Sequence, residues 1–333
     1  MYYSPFDVRL NELLRWLNIE LELDVQDIKP ASSDASFRRY FRVTHAGGCH
    51  VVMDAPPDKE NIQPFIRNAA LLQAVQIHVP AIHQQNLRQG FLLLEDLGTQ
   101  SLLDELQPDN ADEWYQSALD SLFKLQHTLA IDTSPWQTYD EALLTRELGI
   151  FYEWFLEKRL GLIVPVAIRQ GLDEFLIDSA LQQPQVCVHR DYHSRNLMVL
   201  PAGELGVIDF QDAVIGPITY DLVSLLRDCY INWPDRRVQG WLENYHQRLL
   251  NAEMLKVEFA QFKRWFDLMG MQRHLKAVGI FSRLQIRDDK PGYLADIPRT
   301  LDYILMVCQR YPELDEFQAF LQHQVLPIYQ AHL

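Results

Sequence analysis

The sequence predicts an α+β protein of two lobes: a small sheet-bearing N-terminal lobe over residues 1–97 and a mainly helical C-terminal lobe over 98–333. Three observations carry this. The 333 residues exceed what one minimal core needs. Apolar positions alternate, or run in short blocks, before Gly98 and recur three and four apart after it. One strand–turn–strand pattern at 186–212 interrupts the helical part.

Taken in order, residues 8–23 read as an amphipathic helix, with Leu10, Leu13, Leu14 and Leu17 on one face. Residues 37–44 alternate like a strand, Gly47-Gly48 makes a turn, and His50-Val-Val-Met53 begins the returning strand. Residues 59–76 return to helical spacing, and Gly90-Phe-Leu-Leu-Leu-Glu95 has strand length and is closed by Asp96-Leu97-Gly98. Residues 111–129 and 140–160 are helical, as is almost everything beyond 220. In between, Val186–Val188, Leu197–Leu200 and Leu205–Ile208 read as short strands, with a turn at 201–204.

Composition narrows the function. Hydrophobic residues at 48% and charged residues at 23% fit a globular enzyme rather than a disordered chain. A net charge of −15 argues against a nucleic-acid partner, while local basic clusters remain able to hold an anionic small substrate. Cys49, Cys187, Cys229 and Cys308 are far apart in sequence, which fits neither a disulfide framework nor a zinc site. No apolar run approaches the roughly 18 residues that span a bilayer, and Met1–Asp7 lacks the basic-then-apolar order of a signal peptide. A cytoplasmic location without membrane or protein partners is the expectation.

Polar residues bracket the hairpin. Before it stands His189-Arg-Asp-Tyr-His-Ser-Arg-Asn196, and after it Asp209-Phe-Gln211. A His, Asp and Asn at this spacing arise by chance in about one such chain in a hundred. The stretch resembles the catalytic loop of protein kinases, with Asp209 in the place of their metal-binding aspartate. Its residue types suit the phosphoryl transfer which that resemblance implies, whose loose transition state needs positioned groups and charge neutralisation. A carboxylate must face the attacking hydroxyl, and Asp191 is placed for that. Mg²⁺ takes oxygen ligands, and Asn196 and Asp209 offer an amide oxygen and a carboxylate.

The loop matches the catalytic loop of eukaryotic-type protein kinases. With His193, Val207-Ile-Asp-Phe210 and Gly216-Pro-Ile-Thr-Tyr-Asp221, it more closely resembles the aminoglycoside phosphotransferase/choline kinase family. That resemblance implies a bilobal protein-kinase-like fold and ATP-dependent phosphorylation of a small-molecule hydroxyl. Within the family, Asp34-Ala-Ser-Phe-Arg-Arg-Tyr40, Val51-Val-Met-Asp-Ala-Pro-Pro57, Gly90–Gly98, Tyr220–Asp228 and Arg273–Leu284 resemble the N-acetylmuramate/N-acetylglucosamine anomeric kinases of bacterial cell-wall (peptidoglycan) recycling. The implied cofactors are ATP and Mg²⁺, and the implied acceptor is the C1 hydroxyl of the amino sugar. Another small-molecule kinase and a nucleotide-binding pseudokinase are the alternatives.

The chain departs from the wider kinase pattern in two places. At the third strand, Val51-Val-Met-Asp54 puts an acid where a phosphate-pairing base is expected. A glycine-rich loop is replaced by Ser32-Ser-Asp-Ala-Ser36. Arg38, Arg39, Arg42 and Lys59 are candidate substitutes for the base; alternation sets Arg38 and Arg42 on one strand face and Arg39 on the other. Ser36, Arg38, Met53, Glu95 and Leu97 form the expected nucleotide set, with Glu95–Leu97 acting as a hinge through main-chain groups. On the substrate side, Lys276, Arg283 and Arg287 fall in one sector of a helix, with Arg273 close by. They offer either a carboxylate site for the lactyl group or a solvated basic face. Asp228 and Trp233 are expected against the sugar, Tyr230 more in the core, and His193 lining the site. Asp221 either supports the catalytic loop through main-chain N–H groups or caps the helix that follows.

Overall fold

The computed structural model describes residues 7–32, 37–129, 135–201 and 203–331. The chain forms two compact units: residues 1–100 with 198–212, and residues 101–197 with 213–333. The hairpin strands expected in the second lobe therefore group mostly with the first unit.

In the first unit, helix α1 (Val8–Arg15) is capped by Asp7, whose carboxylate accepts the Leu10 N–H at 2.9 Å. It runs on as a wider π-type turn, Trp16–Glu20. It stops short of residue 23 because Glu22 and Asp24 take left-handed φ values of 56° and 50°. A five-stranded antiparallel sheet follows in the order β1-β2-β3-β5-β4, with β1 Asp27–Ser32, β2 Arg39–His45, β3 Gly48–Asp54, β4 Ile82–Asn86 and β5 Phe91–Glu95. Helix α2 spans Gln63–Ala74. The leucine face of α1 lands where its period requires. Leu13, Trp16 and Leu17 pack on Phe41, Val43, Val52, Phe91 and Leu93, each large side chain contributing roughly 1.5–3 kcal/mol by leaving water.

The sequence pattern missed β1 and β4, which are the two edges. The first contains Pro30 beside a register shift, and the second is polar and largely exposed, so neither shows a buried alternating face. The short strands β7 (Leu197–Val199) and β8 (Leu205–Val207) pair with each other. A Cβ at Gly206 would lie 2.7 Å from the Leu97 Cδ1, so the glycine lets Leu97 pack close on this hairpin in its present rotamer.

The second unit is helical around one two-stranded ribbon, β6 (Gln185–Val188) paired antiparallel with β9 (Val214–Pro217). Its helices include α3 (Leu102–Glu105), α4 (Ala111–Thr128), α5 (Glu141–Ile150, continuing as a π-type segment Phe151–Arg159), α6 (Val166–Leu181), α7 (Tyr220–Leu226), α8 (Asp235–Asn251), α9 (Phe259–Asp288) and α10 (Ile297–Cys308). Helix α9 is the axis. Every residue from Trp265 to Lys276 is buried, and the helix packs on α10, α7, α6 and the α5 segment. At Gly279 an added Cβ would meet the Ile150 carbonyl carbon and oxygen at 2.6 Å, so the glycine permits the close approach of α9 to α5. Burying Asp267 in α9 is tolerated because Arg227, Lys263 and Arg310 all pair with it. No helix among the described residues is long and apolar enough to cross a membrane.

Candidate active site

The loop after β6 is held by two acids. At Arg190 the chain takes φ 78°, a left-handed value that a side chain rarely adopts without support. The support is Asp221 on α7, whose carboxylate accepts the N–H of His189 at 2.6 Å and of Arg190 at 3.0 Å. Asp221 thus braces the loop. Burial pushes its pKa up to about 6, against the pull of His189 and the two N–H donors. Asp228 takes the next stretch, with Oδ2 accepting both the Ser194 N–H (2.9 Å) and hydroxyl (2.5 Å), and Oδ1 accepting the Tyr230 N–H at 2.9 Å. The Asn196 amide then donates back to the Asp191 carbonyl at 3.0 Å, closing the turn.

Beside this loop, a pocket of about 430 Å³, its open mouth included, is lined by Asp191, His193, Tyr230, Arg273, Lys276 and Phe281, among others. Burial alone would raise the Asp191 carboxyl. Lys276, His193, Arg273 and Arg190 outweigh it and hold it at about 2, so the group is ionised at neutral pH. Burial lowers the pKa of His193, more than the nearby acids raise it. Its ring meets Tyr230 edge-on at 5.2 Å.

A buried polar network backs the pocket. Glu147 of α5 accepts from Lys276 at 2.8 Å, from Arg190, and from the Tyr139 hydroxyl. Gln272 also donates to the Tyr139 oxygen at 2.9 Å, and Lys276 to the Tyr220 oxygen at 3.1 Å. Burial opposes ionisation of Glu147, but Lys276 and Arg190 prevail and its pKa is lowered. Sequence reasoning missed Glu147. The available signal was an acid among Leu144, Leu148 and Phe151 on one helical face.

Of the expected substrate-side residues, His193, Arg273 and Lys276 line the pocket, and three do not. The Trp233 indole donates to the Tyr115 hydroxyl at 2.8 Å and meets the Tyr115 and Trp241 rings edge-on, which makes it core packing. Tyr230, expected in the core, is the aromatic wall instead. Asp228 is spent on Ser194 and Tyr230 N–H groups, so it shapes the loop rather than facing a ligand. Arg283 keeps the angular sector of Lys276 but lies about 10 Å farther along the helix axis, beyond the lining. Arg287 pairs with Asp288 at the exposed helix end. The basic stripe is therefore neither one site nor a solvated face: its first half is buried in α9 and its second half leaves the pocket.

The first unit carries the other expected residues. Asp54, fully buried, is held by Arg9 and Arg39, and Arg39 also reaches Asp7. The acid in the third strand is thereby neutralised on the face that carries Phe41, Val43 and Val52, while Met53 alternates to the other face. This removes the repulsion that an uncompensated acid would exert on a phosphate. Arg42 is spent on Asp96 (2.6 Å) and the Gly98 carbonyl (2.7 Å). Arg38 lies 3.8 Å from Glu60, and the Lys59 ammonium lies 5.0 Å from the Phe37 ring centroid. The Glu95 carboxylate accepts the Ala81 N–H at 3.1 Å and contacts His78, so its side chain is structural. Leu97 packs on Gly206. Ser36 lies outside the described residues. Asp209, with φ 66°, accepts from the Gln211 amide at 2.6 Å. The segment around it is anchored on α2: Asn68 donates to the Phe210 and Gln211 carbonyls, and the Phe65 and Phe210 rings lie 4.7 Å apart.

Comparison with known proteins follows the same outline. The model of the phosphotransferase enzyme family matches residues 27–259. The chain belongs to this phosphotransferase family. A Pseudomonas putida member named N-acetylmuramate/N-acetylglucosamine kinase is 49% identical over 324 residues, 93% of this chain and 95% of that protein. One of the same name from Neisseria meningitidis serogroup B is 40% identical, over 93% of this chain and 94% of that protein. Among solved structures, choline kinase LicA from Streptococcus pneumoniae matches with a TM-score of 0.61 at 13% identity, covering 89% of this chain and 98% of that one. ADP-bound aminoglycoside phosphotransferase APH(2'')-Ib matches at 0.59 and 13%, covering 90% and 98%. These likenesses establish the protein-kinase-like α+β fold of this phosphotransferase, the class that the sequence predicts.

Proposed function

We propose that the chain is an ATP- and Mg²⁺-dependent kinase that phosphorylates the C1 hydroxyl of N-acetylmuramate and N-acetylglucosamine. The observation that carries this reading is the Asp191 carboxylate, ionised, on the wall of a pocket that Tyr230, Phe281, Arg273 and Lys276 also line. The names of the relatives supply the sugars.

In the reaction the C1 oxygen bonds to the γ-phosphorus while the bond from that phosphorus to the β–γ bridging oxygen breaks. ADP departs with the electron pair, and the hydroxyl proton passes to Asp191. A carboxylate held at about 2 is a weak base. Its main part is to orient the hydroxyl, and it accepts the proton late, after the sugar oxygen has become acidic through bonding to phosphorus. Tyr230 and Phe281 offer aromatic carbon in the pocket wall to the sugar's C–H surface.

Asn196 and Asp209 would hold Mg²⁺, which when bound neutralises charge on the triphosphate. The donor set fits a hard cation. The Asn196 nitrogen donates to the Asp191 carbonyl, so the oxygen is the end of that amide suited to a metal. Arg38, Met53, Glu95 and Leu97, with Ser36, are assigned to the nucleotide. Arg38, Arg39 and Arg42 each pair with an acid, Glu60, Asp54 and Asp96, so engagement in ion pairs does not single out one of them as the phosphate base. A cationic acceptor such as an aminoglycoside is disfavoured, since Asp191 is the one acid among the described lining residues and Arg273 and Lys276 stand beside it.

Incubating the protein with ATP, Mg²⁺ and each sugar, and following ³¹P resonances, tests this. A sugar 1-phosphate and ADP in equal amounts are expected. Transfer to choline or an aminoglycoside, and to neither amino sugar, would overturn the substrate while leaving the family intact.

A further inference from the structure

We infer that Arg195 is the residue that distinguishes the acidic amino sugar from the neutral one, its guanidinium pairing with the lactyl carboxylate of N-acetylmuramate at the rim of the pocket. The inference rests on the sugar-kinase reading above and assigns its anion specificity.

The two sugars share one ring and one reacting hydroxyl, and they differ by a carboxylate-bearing ether arm. Groups that read the shared ring belong on the inner wall. A group that reads the arm belongs at the edge, near enough to the reacting end to meet the same bound ring. The cations of the inner wall suit the second task less well, because two are already paired and the third serves the field around Asp191. Lys276 and Arg190 are paired with Glu147, while Arg273, with its guanidinium 3.8 Å from the Cys229 sulfur, acts on Asp191 and Asp228 through charge and not through an ion pair. Another carboxylate there would compete with buried acids and disturb the field that keeps Asp191 ionised.

Arg195 is differently placed. It is exposed and stands four residues after Asp191 on the same braced loop. Among the described residues it makes no hydrogen bond and has no carboxylate within 4 Å. Asp104 is a nearby acid that feels the Arg195 charge, and its Oδ2 is engaged by the Ser101 N–H at 2.9 Å and hydroxyl at 2.7 Å. What holds Arg195 is aromatic. Its guanidinium carbon lies 3.8 Å from the Tyr230 ring centroid and 5.8 Å from that of Tyr293. Tyr230 lines the pocket, and Tyr293 stacks on Phe281, which also lines it. A guanidinium seated on a ring uses its face for the contact and keeps its N–H edge for a ligand. That edge is a fork matched to the two oxygens of a carboxylate, and the ring seat limits the freedom lost when a carboxylate binds.

The test is steady-state kinetics of wild type, Arg195→Gln and Arg195→Lys with both sugars and saturating ATP. In R195Q the ratio of kcat/KM for N-acetylmuramate to that for N-acetylglucosamine should fall roughly 10- to 100-fold, the loss expected for a charge-assisted pair. The fall should reside in KM for the acidic sugar. R195K should recover part of it, because a point charge remains and the fork does not. Raising ionic strength should raise the wild-type KM for the acidic sugar alone. An equal loss on both sugars, a shared rise in the KM for ATP, or an unchanged ratio would overturn the inference while wild-type turnover upheld the kinase reading. Failure of wild type to turn over either sugar would overturn that reading and this one with it.

Discussion

Asp228 holds Ser194 twice, by its main-chain N–H at 2.9 Å and by its hydroxyl at 2.5 Å, through one carboxylate oxygen. The residue between Asp191 and Asn196 is therefore fixed by an acid 34 positions away. Asp228→Ala removes three acceptor contacts at a site with 1% exposure. The expected outcome is a fall in kcat of about 100-fold from displaced groups, with circular dichroism unchanged. Retention of wild-type kcat would show that the loop keeps its shape without this acid.

Asp191→Asn keeps size and loses the anion. The expected outcome is a drop in kcat of about 10²- to 10⁴-fold, with ATP affinity kept within a few fold, read by single-turnover chemistry beside nucleotide titration. A variant that kept its turnover would remove Asp191 from the reaction.

Glu147→Gln leaves Lys276 and Arg190 buried without their shared anion. Breaking such a cluster costs about 3 kcal/mol, so the denaturation midpoint should fall accordingly. Lys276 should then draw more on Asp191, lowering kcat beyond what the loss of stability explains. A double variant, E147Q with Lys276→Met, should recover part of the stability and none of the rate.

Asp267 sets an acid limit on stability. Burial raises its pKa, but Arg227 first among the cations, with Lys263 and Arg310, takes it below the ordinary aspartate range. A depressed folded pKa means that the unfolded chain binds the proton more readily, so stability falls as pH falls. The contribution is fully present above about pH 4 and is lost as pH drops through the lowered folded value. Asp267→Asn should be less stable than wild type at pH 7, with the gap narrowing at the acid end. A gap that stayed constant from pH 7 to pH 2.5 would contradict the assignment.

Much of this was legible because the chemistry constrains spacing. The residues from His189 to Asn196, with Asp209 beyond a hairpin, carry their meaning in order and distance along the chain. Edge strands carry no such mark: β4 is polar and exposed, and β1 holds a proline. Residue type alone also could not separate Tyr230 from Trp233, since either ring can fill a core or line a pocket, and only the packing of Tyr115 and Trp241 decides. The role of Asp54 was closer to reach. A turn at Gly47 sets Arg39 opposite Asp54 in the hairpin register, and that pairing explains the acid at the third strand. Arg9, which completes the neutralisation, comes from 45 residues away and leaves no local trace.

The discontinuity of the first unit has a consequence for biosynthesis. Its last fifteen residues, 198–212, are encoded after nearly a hundred residues of the second unit. As the chain leaves the ribosome, the N-terminal sheet is complete by Glu95, yet Leu97 has no Gly206 to close on and Asn68 no Phe210 carbonyl to bind until residue 212 has emerged. The first unit must wait, part-finished, while residues 101–197 of the second are made. Arrested nascent chains ending before and after that point should therefore differ sharply in protease resistance.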